Sequence, residues 1–377
     1  MKILWFVDKQ FDTAPDKTTW IEIIKYLQKK NNVYLITRYK KNKARFDELN
    51  NEIIYINCPK VPFIGRAFYF YKQIKDFSSM IESYKPEILV FNSYNFFLIK
   101  RVGKLKKYWG CKSYLDIRSI PVYSTKIKYI LERFFLKRSL KIGSTCFDGI
   151  TYITDEMKKY CQREFDLAEH KSEMWTSGVD TNLFKPEERE DAKKNFRIIY
   201  HGTITKNRGL DNVIKAFTLL SEYDVELFLL GSGDGIAGLR SLARRLGLKD
   251  RILFHSQVLY REVPAFICNC DVGVLPFPNW AGWNTSSPIK MFEYLSCGIP
   301  IIATEIPAHV NVLQGKDFVS WVKESSPEEF ARAIKDIYDR RNEFRKKSQE
   351  IRNFVTKNYT WETQAKKLEE FMMGKNG

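Results

Sequence analysis

Short apolar runs alternate with longer amphipathic stretches along most of the sequence, and this alternation constrains the fold more than any other feature. In the stretch TTWIEIIKYLQKK, Trp20, Ile23, Ile24 and Leu27 recur at the spacing of one helix face. The apolar runs between such stretches are typical of strands that are buried on both faces of a parallel sheet. The sequence therefore predicts an α/β fold built from doubly wound, Rossmann-like sheets.

The apolar runs predict six strands in each half of the chain. In the first half the predicted strands span residues 2–8, 33–38, 52–57, 87–92, 113–118 and 149–154. In the second half they span residues 197–202, 225–231, 251–256, 271–277, 299–304 and 318–322. A late helix is predicted to start at Ser326, with Pro327 in its first position and Glu329 three residues on, as in a capping box.

The polar segment KPEEREDAKKNF separates the two series of strands and has almost no apolar side chain to bury. A chain of 377 residues is also too long for a single ordinary core. We predict an N-terminal Rossmann-like domain over 1–184, a linker over 185–196, a C-terminal Rossmann-like domain over 197–355, and a C-terminal helix over 356–377 that packs on the N-terminal domain. The two sheets are expected to face each other across a crevice that binds ligands at the carboxyl ends of the strands.

The formal net charge of +17 is concentrated in the first half, where residues 1–180 contain 33 Lys and Arg against 20 Asp and Glu. This excess indicates an anionic membrane surface, nucleic acid or a polyanionic substrate, or simply solvated lysine-rich faces. Seven cysteines are scattered along the chain, and the closest pair, Cys268 and Cys270, has no histidine nearby. We expect them to be reduced and mostly buried.

Basic and apolar side chains interleave in two segments of the first half, residues 63–75 and 126–143. Such segments suit an anionic membrane surface, although Ile130, Phe134 and their neighbours could equally face the core. The candidate membrane or acceptor surface comprises Arg66, Lys126, Lys128, Arg133, Phe134, Lys137 and Arg138. No run of 18 uncharged apolar residues exists, and Asp8 falls where a secretion signal would be apolar. We expect a cytoplasmic protein, peripheral on the inner face of the membrane.

Two predicted strand-to-helix turns in the second half carry residues suited to phosphate. The stretch HGTITKNRG ends a predicted strand near Gly202 and places Lys206 and Arg208 just before a helix. The stretch GSGDG supplies Gly231 and Gly233, which let backbone amides approach a ligand closely, although any tight turn would need glycine as well.

The stretch SSPIKMFEYLSCG has the pattern of a short helix, with Ser287 as the N-cap, Pro288 as the first helical residue and Gly298 as the stop. Unpaired amides at such a helix start favour a phosphate.

Within that predicted helix, Met291, Phe292 and Leu295 form an apolar stripe for the sheet. Lys290 and Glu293 then share the opposite face. They form either a surface ion pair, worth about 0.3 to 0.5 kcal/mol, or a polar face toward a ligand.

The stretch SSPIKMFEYLSCGIPIIAT resembles the nucleotide-sugar motif of glycosyltransferase family 4, and four further stretches match that family in the same order. These are FDGITYITDEMKKY, WTSGVDTNLFKP, YHGTITKNRGLDNVIKAF and VELFLLGSGDG. The match is best over residues 140–310. The resemblance implies a GT-B fold and a retaining transfer from a nucleoside-diphosphate sugar, in the branch with a Ser-Pro-x-Lys-x-x-Glu donor motif.

The resemblance also implies the donor-binding residues. Glu293 corresponds to the family's glutamate for the ribose hydroxyls, and Arg208 to its basic residue before the first helix. Lys290 takes the role of a family arginine that is Thr203 here, so Arg208 and Lys290 are the predicted catalytic cations, which replace a metal ion. Thr285, the predicted sugar contact, stands where relatives have a glutamate. The predicted donor-binding set is Gly202, Thr203, Arg208, Gly231, Gly233, His255, Ser286, Ser287, Pro288, Lys290 and Glu293.

In the first domain, relatives carry a catalytic histidine or carboxylate near the reacting carbon, and SYLDIRSIP offers Asp116 as the predicted catalytic residue. Its carboxylate could orient the acceptor hydroxyl or accept its proton. The alternative is an ordinary strand-end residue bonded to the backbone.

The predicted function is that of a retaining glycosyltransferase without metal or cofactor, which takes its sugar from a UDP- or GDP-linked donor. The expected acceptor is a lipid-linked or growing glycan, as in the synthesis of cell-surface polysaccharide, glycolipid or protein glycan. Two alternatives stay open at this stage: a nucleotide-sugar epimerase of the same architecture and a basic nucleic-acid-binding protein. No recognisable module for reading nucleic acid is present, so nucleic acid is not the expected partner.

Overall fold

The computed structural model describes residues 1–10, 17–39, 53–59, 64–105, 110–121, 126–187 and 195–375. The chain forms two compact units. The first comprises Met1–Thr176 together with Trp361–Gly377, and the second comprises Ser177–Thr360.

The described residues form thirteen strands and fifteen α-helices. The strands are β1 Lys2–Gln10, β2 Asn32–Tyr39, β3 Ile53–Asn57, β4 Ile88–Asn92, β5 Lys112–Ile117, β6 Gly149–Tyr152, β7 Ser172–Met174, β8 Phe196–Thr203, β9 Val225–Ser232, β10 Ile252–His255, β11 Val272–Leu275, β12 Ile301–Thr304 and β13 Val319–Val322. The helices are α1 Lys17–Gln28, α2 Ile64–Tyr84, α3 Phe96–Leu105, α4 Lys126–Cys146, α5 Asp155–Phe165, α6 Leu210–Ala216, α7 Ile236–Arg245, α8 Val263–Cys268, α9 Ala281–Asn284, α10 Ile289–Ser296, α11 Pro307–Leu313, α12 Pro327–Asp339, α13 Arg341–Lys346, α14 Ser348–Asn358 and α15 Trp361–Met373.

Each unit is built on one parallel sheet. In the described part of the first unit the strand order is β3-β2-β1-β4-β5-β6-β7, and in the second it is β10-β9-β8-β11-β12-β13. All the pairings recorded within both sheets are parallel, and strands such as β4 and β11 are buried along their whole length. Helices join the strands, as such sheets require. The predicted α/β class with two doubly wound, Rossmann-like sheets is confirmed.

All twelve predicted strands correspond to observed ones within a few residues. The strand that the sequence missed is β7, an edge strand of three residues that pairs only with β6 among the described residues. Its sequence, Ser-Glu-Met, contains no apolar run, and its register is set by the neighbouring strand. Its existence is therefore a consequence of the sheet rather than of local pattern.

The late helix α12 begins as predicted, because the Ser326 hydroxyl accepts a hydrogen bond from the amide of Glu329 at 3.2 Å. The second half of the predicted capping box differs. The Glu329 carboxylate accepts from the amide of Lys323, at 3.2 Å, and from the guanidinium of Arg332. The same carboxylate thus ties the helix start to the end of β13.

The unit boundaries differ from the predicted domain limits at residues 184 and 355. The chain enters the second unit at Ser177, before the polar segment, because Val179 and Phe184 are fully buried in that unit's core. It leaves after Thr360, which pairs with Val179 in an isolated bridge. Residues 188–194 of the predicted linker lie outside the described residues.

Helix α15 belongs to the first unit. The phenol of Tyr114 donates to the carbonyl of Met372 at 3.0 Å, and Asn31 donates to the Glu369 carboxylate at 2.7 Å. The ring of Phe371 lies so close to Gly149 that a Cβ there would approach it to 2.5 Å. The last helix of the chain thus packs on the unit formed by the N-terminal residues.

Candidate functional site

Strand β8 lies at the centre of the second sheet, between β9 and β11. The chain winds from β8 to β9 and β10 on one side and to β11, β12 and β13 on the other, so the strand order reverses at β8. In open α/β sheets, ligands bind outside the carboxyl ends of the strands at such a reversal. The segments that follow β8, β9 and β11, together with helix α10, are therefore where a site is expected.

The loops after β8 and β9 pack directly against each other, and glycine is what permits this. Gly231 and Gly233 have φ of 152° and 155°. A Cβ at Gly231 would lie 1.9 Å from the carbonyl oxygen of Gly202, and one at Gly233 would lie 2.1 Å from that of Ile204. Gly231 and Gly233 are thus required for packing between the two loops, and their contact with a ligand stays a prediction.

Lys290, on the first turn of α10, is 8% exposed and reaches the end of β8. Its ammonium lies 3.7 Å from the centre of the Tyr200 ring and beside Gly202, where a Cβ would be 3.5 Å from Nζ. Among the described residues it makes no hydrogen bond or ion pair. Burial lowers the pKa of Lys290 well below its ordinary value, and the nearby Arg208 lowers it further, while Glu293 opposes the shift. The predicted surface ion pair with Glu293 is therefore absent.

Arg208, in the loop before α6, is held on aromatic faces. Its guanidinium carbon lies 4.5 Å from the centre of Trp283 and 5.4 Å from that of Phe277. The two rings are stacked, 4.6 Å apart with an interplanar angle of 11°. Arg208 forms no ion pair with any residue in the described ranges. Two neighbouring cations, Arg208 and Lys290, thus share this end of the sheet without a carboxylate to neutralise either by direct contact.

Glu293 is 2% exposed and points to the end of β8, where its Oε2 lies 3.0 Å from Nε2 of His201. The ring of His201 packs edge-on against Tyr294, and its backbone amide donates to the Tyr294 hydroxyl at 3.2 Å. Lys290 and Glu293 are therefore both directed at β8, while the rest of α10 is buried among other elements. The helix is enclosed on all sides, in contrast to the predicted apolar stripe with one open face.

The start of α10 differs from the prediction by one residue. Pro288, with extended backbone, is the N-cap and Ile289 is the first helical residue. Ser287 is engaged elsewhere, because its hydroxyl accepts from the amide of Ser177 and its carbonyl accepts from the Ser177 hydroxyl at 2.7 Å. Gly298 ends the helix as predicted, with φ of 75° and its amide donating to Leu295.

The remaining predicted donor contacts lie around these loops. Thr203 is the last residue of β8 and is half-buried, and His255 ends β10, exposed, with Nδ1 2.9 Å from the Ser256 carbonyl. The buried hydroxyl of Thr285 donates to the carbonyl of Ala281 at 2.9 Å. The hydroxyl of Ser286 donates in the same way to Trp283. Both hydroxyls stabilise the single turn α9 in this conformation.

Asp116, in the first unit, is fully buried and is the last residue but one of β5. Its Oδ1 accepts from the Thr151 hydroxyl at 2.7 Å and from the Trp175 indole at 3.1 Å, whereas Oδ2 has no hydrogen-bond partner in the described part of the chain. Burial raises the pKa of Asp116 to about 6, against the opposing effects of Arg118 and the two hydrogen bonds. Asp116 has no exposed surface in this structure, and its catalytic role stays a prediction.

Several side chains of the predicted membrane surface are exposed, and their role there stays a prediction. Ile127, Ile130, Leu131 and Phe134 are exposed on the first half of α4, with Ile127 at 75%. The alternative in which Ile130 and Phe134 face the core is thus excluded. The helix packs inward through a different set, Leu136, Ser139, Leu140 and Gly143.

The cations of this surface differ in availability. Lys126, Lys137 and Arg138 are exposed, with Arg138 over the Phe134 ring, and Lys128 approaches Glu132 at 3.9 Å. Arg133 instead binds the Glu164 carboxylate at 2.8 Å and so joins α4 to α5. Arg66 lies in helix α2, but its side chain is outside the described part of the structure.

No helix within the described ranges is long and apolar enough to span a membrane. In the same ranges, no group of three or more His, Cys, Asp and Glu side chains is arranged to hold a metal ion. The ionisable side chains described at the end of β8 are Lys290, Arg208, Glu293 and His201.

Sequence reasoning missed His201, Tyr200, Phe277 and Trp283, which surround the predicted charged residues. Tyr200, His201 and Phe277 are at the ends of predicted strands, and that position was the available signal, whereas Trp283 lies in the helix that follows. Aromatic and histidine residues at such places are too common for the pattern alone to select them.

Residues 183–357 match the family described as "Glycosyl transferases group 1". The matched range lies within the second unit, Ser177–Thr360. All the site residues described for this unit, from Tyr200 to Glu293, lie within the matched range. The match supports a glycosyltransferase, as the resemblance to family 4 implied.

Two curated proteins illustrate the range of sequences that this chain resembles. A GDP-mannose-dependent alpha-(1-6)-phosphatidylinositol monomannoside mannosyltransferase of Mycobacterium tuberculosis is 25% identical over 239 residues, which cover 60% of this chain and 62% of that protein. A D-inositol 3-phosphate glycosyltransferase of Paenarthrobacter aurescens is 25% identical over 175 residues, 43% of this chain and 42% of that protein. The chain therefore spans less than two thirds of the length of either relative.

Solved structures match the whole chain. A sucrose-phosphate synthase from Thermosynechococcus elongatus superposes with a TM-score of 0.81 at 16% identity, over 99% of this chain and 98% of its own. The Anabaena protein HepE in complex with UDP superposes with a TM-score of 0.78 at 13% identity, over 99% and 100% of the two chains. At such identities the likeness shows the fold, and it confirms the predicted GT-B class.

Proposed function

We propose that the chain is a retaining glycosyltransferase that transfers a sugar from a nucleoside-diphosphate sugar to a lipid-linked or growing glycan. Such a reaction belongs to the synthesis of cell-surface polysaccharide, glycolipid or protein glycan. The observation that carries the proposal is the pair of cations at the end of β8. Lys290 is nearly buried and Arg208 lies on aromatic rings, and neither is paired with a carboxylate among the described residues.

Two adjacent cations without counter-charge are unfavourable unless an anion binds there, because burial and mutual repulsion both oppose their charge. A diphosphate supplies such an anion. When the bond between sugar and phosphate breaks, negative charge develops on the leaving nucleoside diphosphate, and fixed cations stabilise that charge as it forms. Arg208 offers a planar fork for the phosphate oxygens and Lys290 a point charge. We propose that these cations serve in place of a metal ion and that no cofactor takes part.

The donor contacts follow from the same geometry. We propose that Glu293 accepts hydrogen bonds from the ribose hydroxyls, and that the loops at Gly202, Thr203, Gly231 and Gly233 lie along the diphosphate. The base is proposed to be uracil or guanine. One relative is GDP-mannose-dependent by name, and one structural neighbour was solved with UDP.

A panel of UDP-, GDP- and ADP-sugars tests the donor. A nucleotide present at 100 times its dissociation constant should stabilise the protein by about 2.7 kcal/mol, seen as a rise in melting temperature. The proposal expects one base to dominate and the Arg208→Ala variant to lose the shift. A panel in which no nucleotide sugar stabilises the wild type, while polynucleotides do so in a salt-sensitive way, contradicts it and supports a nucleic-acid-binding protein instead.

Product analysis with the preferred donor separates transfer from epimerisation. Conversion of the donor to an epimeric sugar with no acceptor present would identify an epimerase. A radiolabelled sugar that appears in a lipid or glycan fraction, with retained anomeric configuration, is the expected result.

We further propose that the exposed part of α4 places the protein on the inner face of an anionic membrane. Ile127, Ile130, Leu131 and Phe134 supply apolar surface, and Lys126, Lys137 and Arg138 supply charge, each cation near such a surface adding about 1 kcal/mol. Flotation with vesicles of anionic lipid at moderate salt should carry the wild type upward and a Lys126→Gln, Lys137→Gln, Arg138→Gln variant much less. Equal flotation of both proteins, or none of the wild type, removes this part of the proposal.

A further inference from the structure

The loop that carries Arg208 packs closely against the segment that follows β11. Gly209, with φ of 75°, packs so closely that a Cβ would lie 2.0 Å from the carbonyl oxygen of Pro276. Further along the same segment, the indole Nε1 of Trp283 donates to the carbonyl of Asn207 at 3.1 Å. The residues on both sides of Arg208 are thus fixed to one neighbouring segment.

The Arg208 side chain is oriented by the same segment. Its guanidinium carbon lies 4.5 Å from the centre of the Trp283 ring, and its Nε is buried with no hydrogen-bond partner in the described part of the chain. Phe277 backs the indole in a parallel stack. Phe277 is itself buried, and its carbonyl accepts a hydrogen bond from the Thr304 hydroxyl at 2.7 Å.

An aromatic platform differs from a carboxylate in what it does to the cation. A carboxylate in this place would hold the guanidinium equally well, but it would cancel the charge that an anionic ligand needs. The indole face attracts the cation through its quadrupole and leaves the net positive charge in place. Trp283 therefore holds Arg208 through two contacts, the ring face and the bond to Asn207, without neutralising it.

We infer that Trp283 is a positioning residue that aims Arg208 at the diphosphate of the donor. The inference rests on the proposed function, because it takes the anion at Arg208 to be the donor diphosphate. Trp283 need not touch the substrate. Its contribution to binding and turnover should pass through Arg208 alone.

Three variants separate the two contacts. Trp283→Leu removes both the aromatic face and the bond to Asn207, whereas Trp283→Phe keeps the face and removes only the bond. Trp280→Leu is the matched control, since Trp280 is three residues earlier and 52% exposed, and it makes no ring contact with Arg208. Arg208→Ala supplies the background for a double-mutant cycle.

The measurement is the dissociation constant of the preferred nucleoside diphosphate and of inorganic pyrophosphate. We expect Trp283→Leu to raise both dissociation constants by about 3- to 30-fold. The constants of Trp283→Phe should lie between those of Trp283→Leu and wild type, and those of Trp280→Leu should match wild type. In the Arg208→Ala background, Trp283→Leu should cause no further loss. KM and kcat for transfer should both worsen in Trp283→Leu if the misplaced cation fails in the ground state and in the transition state.

An equal loss from Trp283→Leu in both backgrounds overturns the inference, because Trp283 would then act independently of Arg208. Unchanged affinity in Trp283→Leu, together with weak binding by Arg208→Ala, also contradicts the inference. In that case the proposed function stands. If Arg208→Ala itself binds both anions as well as wild type, the proposed donor site fails along with the inference. Should Trp283→Leu not fold, Trp283→Phe and Arg208→Ala complete the cycle.

Discussion

Nε2 of His201 and Oε2 of Glu293 lie 3.0 Å apart, although 92 positions separate the two residues in the chain. Both side chains are buried, and the contact has the distance of an ion pair without the alignment of a hydrogen bond. It is attractive when Nε2 carries a proton. The end of β8 thus supplies a partner for the Glu293 carboxylate of α10, which is directed at His201 rather than at Lys290.

Replacing His201 with leucine should leave the Glu293 carboxylate buried without its partner. We expect a loss of about 1 to 3 kcal/mol in the free energy of unfolding. Affinity for a nucleoside diphosphate should fall while affinity for pyrophosphate stays, because only the nucleoside has ribose hydroxyls. His170→Leu, in the first unit and outside the predicted donor-binding set, is the control for affinity. Equal losses for nucleoside diphosphate and pyrophosphate would speak against a ribose contact.

Lys290→Met should separate stability from activity. The folded-state pKa of Lys290 is depressed, so its charged form costs free energy at neutral pH, and that cost disappears only as pH rises toward the unfolded value. The uncharged variant should therefore melt higher without ligand at pH 7, yet turn over about 10²- to 10³-fold more slowly. Lys335→Met is a matched control, since Lys335 of α12 also lies over an aromatic ring, that of Tyr223. Unchanged single-turnover rates in Lys290→Met would contradict the proposed role of Lys290 as a catalytic cation.

Asp116→Asn should stabilise the protein above pH 6. The folded pKa of about 6 exceeds the ordinary value of 3.8, so the penalty for ionising Asp116 is absent below pH 4 and complete above pH 6. A shift of this size corresponds to roughly 3 kcal/mol. Asparagine keeps an oxygen for Thr151 and Trp175, and the variant should lose the decline in stability between pH 4 and 6. Denaturant titrations at pH 4, 6 and 8 measure this, and parallel profiles for both proteins would contradict it.

His309 predicts the opposite response to acid. Burial lowers its pKa to about 4, and Nδ1 lies 2.8 Å from the Thr304 carbonyl, which can only accept. Because the folded pKa is below the unfolded value of 6.5, stability should fall as pH drops from 6.5 to 4, by roughly 3 kcal/mol in full. His309→Asn, which can still donate to Thr304, should flatten that part of the profile. Thermal melts from pH 4 to 7 test it, and an unchanged acid slope would rule out His309 as the source.

Two glycine substitutions should move stability in opposite directions. Gly231→Ala places a Cβ 1.9 Å from a backbone oxygen at a φ of 152°, which we expect to cost more than about 3 kcal/mol. Gly238→Ala, in α7 with nothing within 4 Å of the new Cβ, should add about 0.5 to 1 kcal/mol. Chemical denaturation compares them, and a mild effect of Gly231→Ala would show that the two loops can separate.

The architecture was predictable because its signals are local. Apolar runs such as ILVFN in β4 are buried on both faces whichever strands lie beside them, and the helix starting at Ser326 carries its cap in its own sequence. The boundary between the two units could not be predicted from a local pattern. Val179 and Phe184 precede the polar segment in the sequence, but they are buried in the core of the second unit.

In the candidate site, the sequence and its resemblance to a known family predicted three charged residues: Arg208, Lys290 and Glu293. Only the tertiary structure decided what each of them contacts. His201 contacts Glu293, and Trp283 contacts Arg208. These contacts form because the connections from β8 to β9 and from β11 to α10 bring distant segments to one edge of the sheet. Sequence spacing reports neighbours three or four residues apart on a helix, whereas these contacts depend on strand order, which no local pattern encodes.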